Sequence, residues 1–257
     1  MKAKILKIGT ACNNRCYFCF ERGTAYETDT EAIKASITTA RPECDQLTIT
    51  GMEPSIHPAI IEIVKHAKEL EYRTIQLVSN GRMFAYGHFA REMIFAGMTE
   101  LLVPVHSHLP SVHNNITGVE KSLEQTMRGV RNILDNAGIH GPFNSVNVVA
   151  GTVVCAENVG ALSMLPQFLQ KYGIEQMFFI RMRKTPGTTP PPVEKIRASL
   201  PAALEAAGRN GMRAFTLGFT AEDIPLPPES IYEEYVKAKP VAKPADSFDI
   251  GFSDSLK

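Results

Sequence analysis

Apolar positions along the chain follow two alternating rhythms. Short runs rich in β-branched residues give way to longer stretches whose apolar positions recur every three to four residues. The short runs predict strands over 3–8, 46–50, 73–78, 101–105, 146–154 and 176–182, with a further strand over 213–217. The longer stretches predict helices over 30–39, 56–70, 84–96, 119–137, 159–172 and 193–210. Gly97, Gly138, Gly173 and Gly211 stand just past four of those helices, where a left-handed residue ends a helix most cheaply.

Strand-then-helix units in succession imply parallel strands joined by right-handed crossovers, and so an α/β fold. A closed barrel of eight units takes about 250 residues of repeats. Here the repeats stop near residue 217. The expectation is a partial (β/α)6 barrel of TIM-like kind over 1–220, with a C-terminal extension over 221–257. That extension is rich in Pro, Lys, Asp and Ser and is expected to be poorly ordered or to cover the barrel. A Pro-rich loop over 185–192 follows the sixth strand. Ligands of such folds bind at the carboxyl ends of the strands, so the loops there are where chemistry is expected.

Composition narrows the class. The 257 residues are 44% apolar and 21% charged, ordinary for a globular protein, and Lys+Arg and Asp+Glu balance at 27 each. A strongly basic surface is not expected, which disfavours a general nucleic-acid binder but leaves room for an enzyme that reads one nucleotide. No apolar run reaches the length of a membrane span. The first residues are too few and too charged for a signal peptide, which predicts a cytoplasmic protein. Five cysteines do not make a secreted disulfide framework, and clustered cysteines in a reducing compartment point to metal.

Three of the five fall in the loop after the first strand, at Cys12, Cys16 and Cys19, a C-x3-C-x2-C spacing. Soft thiolates suit iron–sulfur clusters, and close spacing lets one loop wrap one cluster. No fourth Cys or His lies beside them; the next are Cys44 and His57. A structural zinc site is closed by four protein ligands, whereas a catalytic metal keeps one position open. Three other readings stand beside this one. They are a zinc-stabilised, non-catalytic binding module completed by Cys44 or His57, a redox pair of Cys16 with Cys19, and three unrelated thiols.

The loop resembles the mark of the radical S-adenosylmethionine (SAM) superfamily, C-x3-C-x-aromatic-C, with Phe18 as the aromatic residue. The resemblance covers roughly residues 3–217. It implies a barrel of the radical SAM type whose Cys12, Cys16 and Cys19 bind three irons of a [4Fe–4S] cluster, the fourth iron taking SAM. It implies that Phe18 packs near the adenine. Gly51-Met52-Glu53-Pro54 at the end of the second strand resembles the family's G-G-E-P motif, with Met52 in place of the second Gly, and is expected beside the SAM amino group. The residue-level alternative is that Glu53 and Pro54 start the next helix. Ser79 and Asn80 are expected at the SAM ribose or carboxylate, or in a plain Asn-Gly turn. Asn158 is expected at the adenine, with Cys155 an inert core thiol.

Substrate-side residues are read more loosely. His106, His108 and Arg183 end the fourth and sixth strands and are expected to line the substrate side of the mouth. The stretch 106–118, with 123–126 after it, resembles a segment of radical SAM enzymes that modify peptides and natural products, which suggests that class. A small metabolite, sugar or nucleotide is the alternative. The implied partners are the substrate and an electron donor such as a flavodoxin. The tail carries no cysteine after Cys155, so no auxiliary cluster is expected.

Overall fold

A computed structural model of the chain describes residues 3–136 and 146–219. Seven strands form one sheet: β1 (Ala3–Ile8), β2 (Gln46–Gly51), β3 (Thr74–Val78), β4 (Glu100–Pro104), β5 (Asn147–Val154), β6 (Gln176–Arg181) and β7 (Arg213–Leu217). They lie in chain order and every neighbouring pair is parallel. Between them run α1 (Thr30–Ala40), α2 (Ile60–Glu69), α3 (Gly87–Ala96), α4 (Pro110–Thr117), α5 (Ser122–Asn136), α6 (Leu165–Gln170) and α7 (Val193–Arg209). Crossovers of one hand between strands taken in order put all the helices on one face, the arrangement of a barrel rather than of a doubly wound sheet. The further strand expected over 213–217 is present, after the six strand-then-helix units.

Alternation along each strand sorts its side chains. Leu47 and Ile49 of β2, Ile75 and Leu77 of β3, and Met177 and Phe179 of β6 join the main core together with the buried faces of the helices. The opposite face is partly polar. Thr48 donates to Gln76, Gln76 to Glu100, and Asn147 to Glu100 at 2.7 Å, while Arg213 donates to Gln176 at 2.8 Å.

The predicted helices are present; α1 runs one residue beyond its predicted end and the others are shorter. The stretch over 56–70 divides into a 3-10 turn at Pro54–Ile56 and α2, and that over 159–172 into a 3-10 turn at Val159–Met164 and α6. Gly97 ends α3 with φ of 113°. α4 was not predicted, because Pro-Ser-Val-His-Asn-Asn-Ile-Thr lacks a helical apolar stripe and is rich in turn formers. Ala137 and Gly138, expected to end α5, and the extension over 221–257 lie outside the described residues. Among the described residues no helix is long and apolar enough to cross a membrane.

Candidate active site

The cysteine loop leaves the carboxyl end of β1 and is held from three sides. Arg15 N–H and Tyr17 N–H donate to Thr117 and Ile116 carbonyls at 2.8 and 3.3 Å, and Arg15 Nη2 donates to the Gly118 carbonyl at 2.8 Å. The last turn of α4 is thus one wall. Arg82, just past β3, donates through Nη1 to the Asn13 carbonyl and to Asn14 Oδ1, and through Nε to Gln125 of α5 at 2.7 Å. Within the loop, Arg22 donates to the carbonyls of Arg15 and Cys16 at 3.0 and 2.8 Å. Neither Arg82 nor α4 was singled out from the sequence; a lone Arg after Asn-Gly carries no local signal of a partner 69 residues away.

The three thiols sit half-buried in this loop and none is in a disulfide. Burial, and then the neighbouring sulfurs of Cys12 and Cys19, push the Cys16 thiol up to about 12. Burial likewise raises Cys12, against the Asn14 N–H that donates to its sulfur at 3.3 Å. Thiols that oppose one another's ionisation are deprotonated when a metal binds them, so the donor set fits a cationic iron–sulfur group. Such a cluster takes one thiolate per iron, and the sulfurs need not converge on one ion. Among the described residues no three His, Cys, Asp or Glu side chains are grouped around a single-ion site.

Neither candidate fourth ligand is placed to close the set. Cys44 precedes β2 and donates to the Ala40 carbonyl at 3.2 Å. Since Ile8 pairs with Gly51, Cys44 is a strand length away from the loop, roughly 17 Å at about 3.3 Å per residue. His57 faces backbone through both ring nitrogens, the Thr28 carbonyl and the Ala59 N–H, each at 3.2 Å.

The tips of β2 and β3 meet at Glu53. This buried carboxylate accepts from Ser55 N–H (3.0 Å), Ser55 Oγ (2.5 Å) and Ser79 Oγ (2.7 Å) on one oxygen, and from Asn80 N–H (2.7 Å) on the other. Burial raises its pKa and the four donors pull against that rise. Glu53 also caps the Pro54–Ile56 turn, so the helix-start geometry is present in full. Asn80 continues the chain of contacts: its Nδ2 donates to Asn13 Oδ1 at 2.5 Å and reaches the Cys12 sulfur at 3.9 Å. Gly51 has φ of 120°, and a Cβ there would lie 2.3 Å from the Ile8 carbonyl oxygen. Met52 stands half-exposed beside it. A hollow of about 260 Å³ is lined by Gly9, Thr10, Ala11, Glu53, Ile56 and His57, among others.

On the far side, Phe18 lies edge-on to His106 with ring centres 5.2 Å apart, packed over Ile116, Cys155 and Met182. His106 is 2% exposed, its backbone N–H donates to His113 Nδ1 at 3.1 Å, and its ring stacks on that of His113. Burial, with His113 adding to it, lowers His106 to about 3, and burial lowers His113 to about 4. Both imidazoles are therefore neutral near pH 7. Asn158 is spent on the backbone: Oδ1 accepts from Cys155 N–H, and Nδ2 donates to the carbonyls of His106 and Val153. Cys155 is fully buried beside Ile116 and Met182, with the Tyr17 hydroxyl and Glu157 as polar neighbours, and burial pushes its thiol up to about 11.

The three residues expected on the substrate side have different neighbours. His106 is under Phe18, whereas His108 lines a hollow of about 360 Å³ on the helix side with Arg128, Arg131, Phe168 and Tyr172. Arg183 lies 4.8 Å over the ring of Phe20, the residue after Cys19. Adjacent loop residues after β4 point apart because the turn into α4 starts between them, Ser107 Oγ accepting from Leu109 N–H at 3.1 Å.

Comparison with known proteins places these features. The family model described as "Radical SAM superfamily" matches residues 6–158. A Saccharolobus islandicus protein named "Probable GTP 3',8-cyclase" is 28% identical over 175 residues, 66% of this chain and 54% of that protein. One of the same name from Thermococcus kodakarensis is 32% identical over 124 residues, 46% of this chain and 39% of its own. The chain spans about half the length of the curated relatives it matches. Among solved structures, Streptococcus suis SuiB bound to S-adenosylmethionine superposes with a TM-score of 0.69 at 10% identity, over 86% of this chain and 51% of that one. anSMEcpe with bound AdoMet gives 0.63 at 12%, over 84% and 63%. These structures share the fold.

Proposed function

This chain belongs to the radical SAM superfamily, whose enzymes use a [4Fe–4S] cluster and SAM, and we propose that it draws a hydrogen atom from a nucleotide-class substrate. The observation that carries the SAM reading is the half-buried loop of Cys12, Cys16 and Cys19 at the tip of β1, pinned by Arg15, Arg22 and Arg82 with Cys44 and His57 turned elsewhere. Cys12, Cys16 and Cys19 would hold the cluster, and with SAM it would supply one-electron radical chemistry at this strand end. The protein's share is placement. Asn80 ties the β3 tip to Cys12, Glu53 ties β2 to β3, and Phe18 offers a ring face on the β4–β6 side for adenine.

Two features support the nucleotide class. The named function of the relatives over two thirds of the chain is a GTP cyclisation. Arg183, stacked on Phe20 next to Cys19, sets a guanidinium at the rim where a phosphate could be gripped. Peptide modification, the class suggested by the sequence, has behind it only a fold common to the superfamily.

The test is anaerobic incubation of reconstituted protein with SAM and dithionite, with 5′-deoxyadenosine followed by chromatography. Slow formation alone and faster formation with GTP are expected. No 5′-deoxyadenosine under any condition overturns the SAM reading. Acceleration by peptides and by no nucleoside phosphate overturns the substrate class.

A further inference from the structure

The helix side of the cysteine loop carries a feature that the SAM chemistry does not use. A notch of about 80 Å³ is lined by Asn13, Arg82, Met83, Tyr86, Gln125 and Arg128. It is far too small for a nucleotide, since ligand pockets run to about 300 Å³ or more. Its floor touches the cluster loop: Arg82 bonds the Asn13 carbonyl, and Asn13 is one peptide bond from Cys12. Its rim is exposed, with Tyr86 at 56%. Arg128 also lines the neighbouring 360 Å³ hollow, so the two form one surface along α5. That second hollow adds Arg131, stacked 5.4 Å over Tyr172, together with Glu124. Three guanidinium groups therefore share this face with one carboxylate, in a chain whose charges balance overall.

We propose that the face carrying Arg82, Tyr86, Arg128 and Arg131 docks a small acidic electron-carrier protein that reduces the cluster through its Cys12 edge. Radical SAM enzymes need a reductant, and this proposal rests on the reading of the chain as one that cleaves SAM. In the step, the carrier loses one electron and the cluster gains it; no bond forms or breaks. Two physical arguments select this face. Electron transfer weakens steeply with distance, and here surface and cluster ligand are joined through Arg82, Asn13 and Cys12. A local excess of guanidinium charge steers an acidic partner and fixes its orientation. An exposed aromatic beside arginines is the composition of a protein contact.

The experiment compares two reductants on the reconstituted holoenzyme. One is dithionite, which needs no docking; the other is a reduced acidic flavodoxin. Variants are the charge-reversal pair Arg128→Glu with Arg131→Glu and the neutral pair Arg128→Gln with Arg131→Gln. Flavodoxin binding is measured beside turnover, by titration calorimetry at about 20 mM and 300 mM salt. The expected result for the reversal pair is at least a tenfold fall in both flavodoxin affinity and flavodoxin-driven 5′-deoxyadenosine formation at low salt, with the dithionite rate unchanged. The neutral pair should lie between, and wild-type affinity should fall with salt. Unchanged flavodoxin affinity in the reversal pair overturns the proposal. So does an equal loss of dithionite-driven rate in both pairs, or a loss confined to substrate turnover, which would make this a substrate surface. Absence of any dithionite-driven cleavage in wild type would instead overturn the SAM reading.

Discussion

The carboxylate of Glu53 accepts a 2.7 Å hydrogen bond from the backbone N–H of Asn80, locking the tip of β2 to the tip of β3. Asn80 in turn reaches the sulfur of Cys12, so a contact between two strand ends is felt at the cysteine loop. Replacing Glu53 by Ala strands four buried donors, a loss of about 2–4 kcal/mol. Denaturant unfolding should show this drop, together with weaker SAM binding by calorimetry. Glu53→Gln, which keeps an acceptor, should recover at least half of the stability. Full stability in Glu53→Ala would show that the four donors find other partners.

Gly51 should not tolerate a side chain. Its φ of 120° and the 2.3 Å approach of an added Cβ to the Ile8 carbonyl oxygen leave Gly51→Ala with strain and a backbone clash. The expected loss is at least about 2 kcal/mol. Because Ile8 leads into the cysteine loop, iron content after reconstitution should fall as well. Normal iron content with normal stability would refute this account of the β1–β2 contact.

Single Ala replacements of Cys12, Cys16 or Cys19 should remove or severely weaken the visible iron–sulfur absorption. Cys44→Ala should leave it, since that thiol is at the other end of β2 and bonds the Ala40 carbonyl. Cys155→Ala should leave it too, at a cost in packing and in the contacts with Tyr17 and Glu157. Spectra and iron analysis of anaerobically reconstituted variants decide the matter, and loss of the cluster in Cys44→Ala would redefine the ligand set.

The histidine pair predicts acid sensitivity. His106 and His113 are held neutral, with pKa lowered from 6.5 to about 3 and about 4. An unfolded chain binds protons near 6.5 that the folded chain refuses, so stability is lost as pH falls through that value towards 4 and is intact above it. Each group contributes a slope of up to about 1.4 kcal/mol per pH unit in that window. Urea midpoints at pH 7 and 4.5 should therefore fall less in His106→Phe than in wild type. Equal falls would mean that the ring at His106 becomes protonated without unfolding.

What the sequence determined by itself is what is written in local order. The alternation of strand and helix periods sets parallel strands joined by right-handed crossovers, whereas their lying in chain order, as in a barrel and not in a doubly wound sheet, belongs to the tertiary structure. The C-x3-C-x2-C spacing sets three thiols in one loop, because eight residues cannot spread far. Gly97 and Gly51 mark positions that only a residue without Cβ fills at low cost. What tertiary structure decided are contacts between strand ends that are remote in the chain. Arg82 on the Asn13 carbonyl spans 69 positions, Arg15 on the Gly118 carbonyl 103, and Asn158 on the His106 carbonyl 52. The division of His106 from His108, neighbours but one in sequence, is of the same kind. Periodicity reports which way a residue faces relative to its own element. Which partner meets it there depends on how the curved sheet brings separate strand tips together, and that is a property of the packed whole.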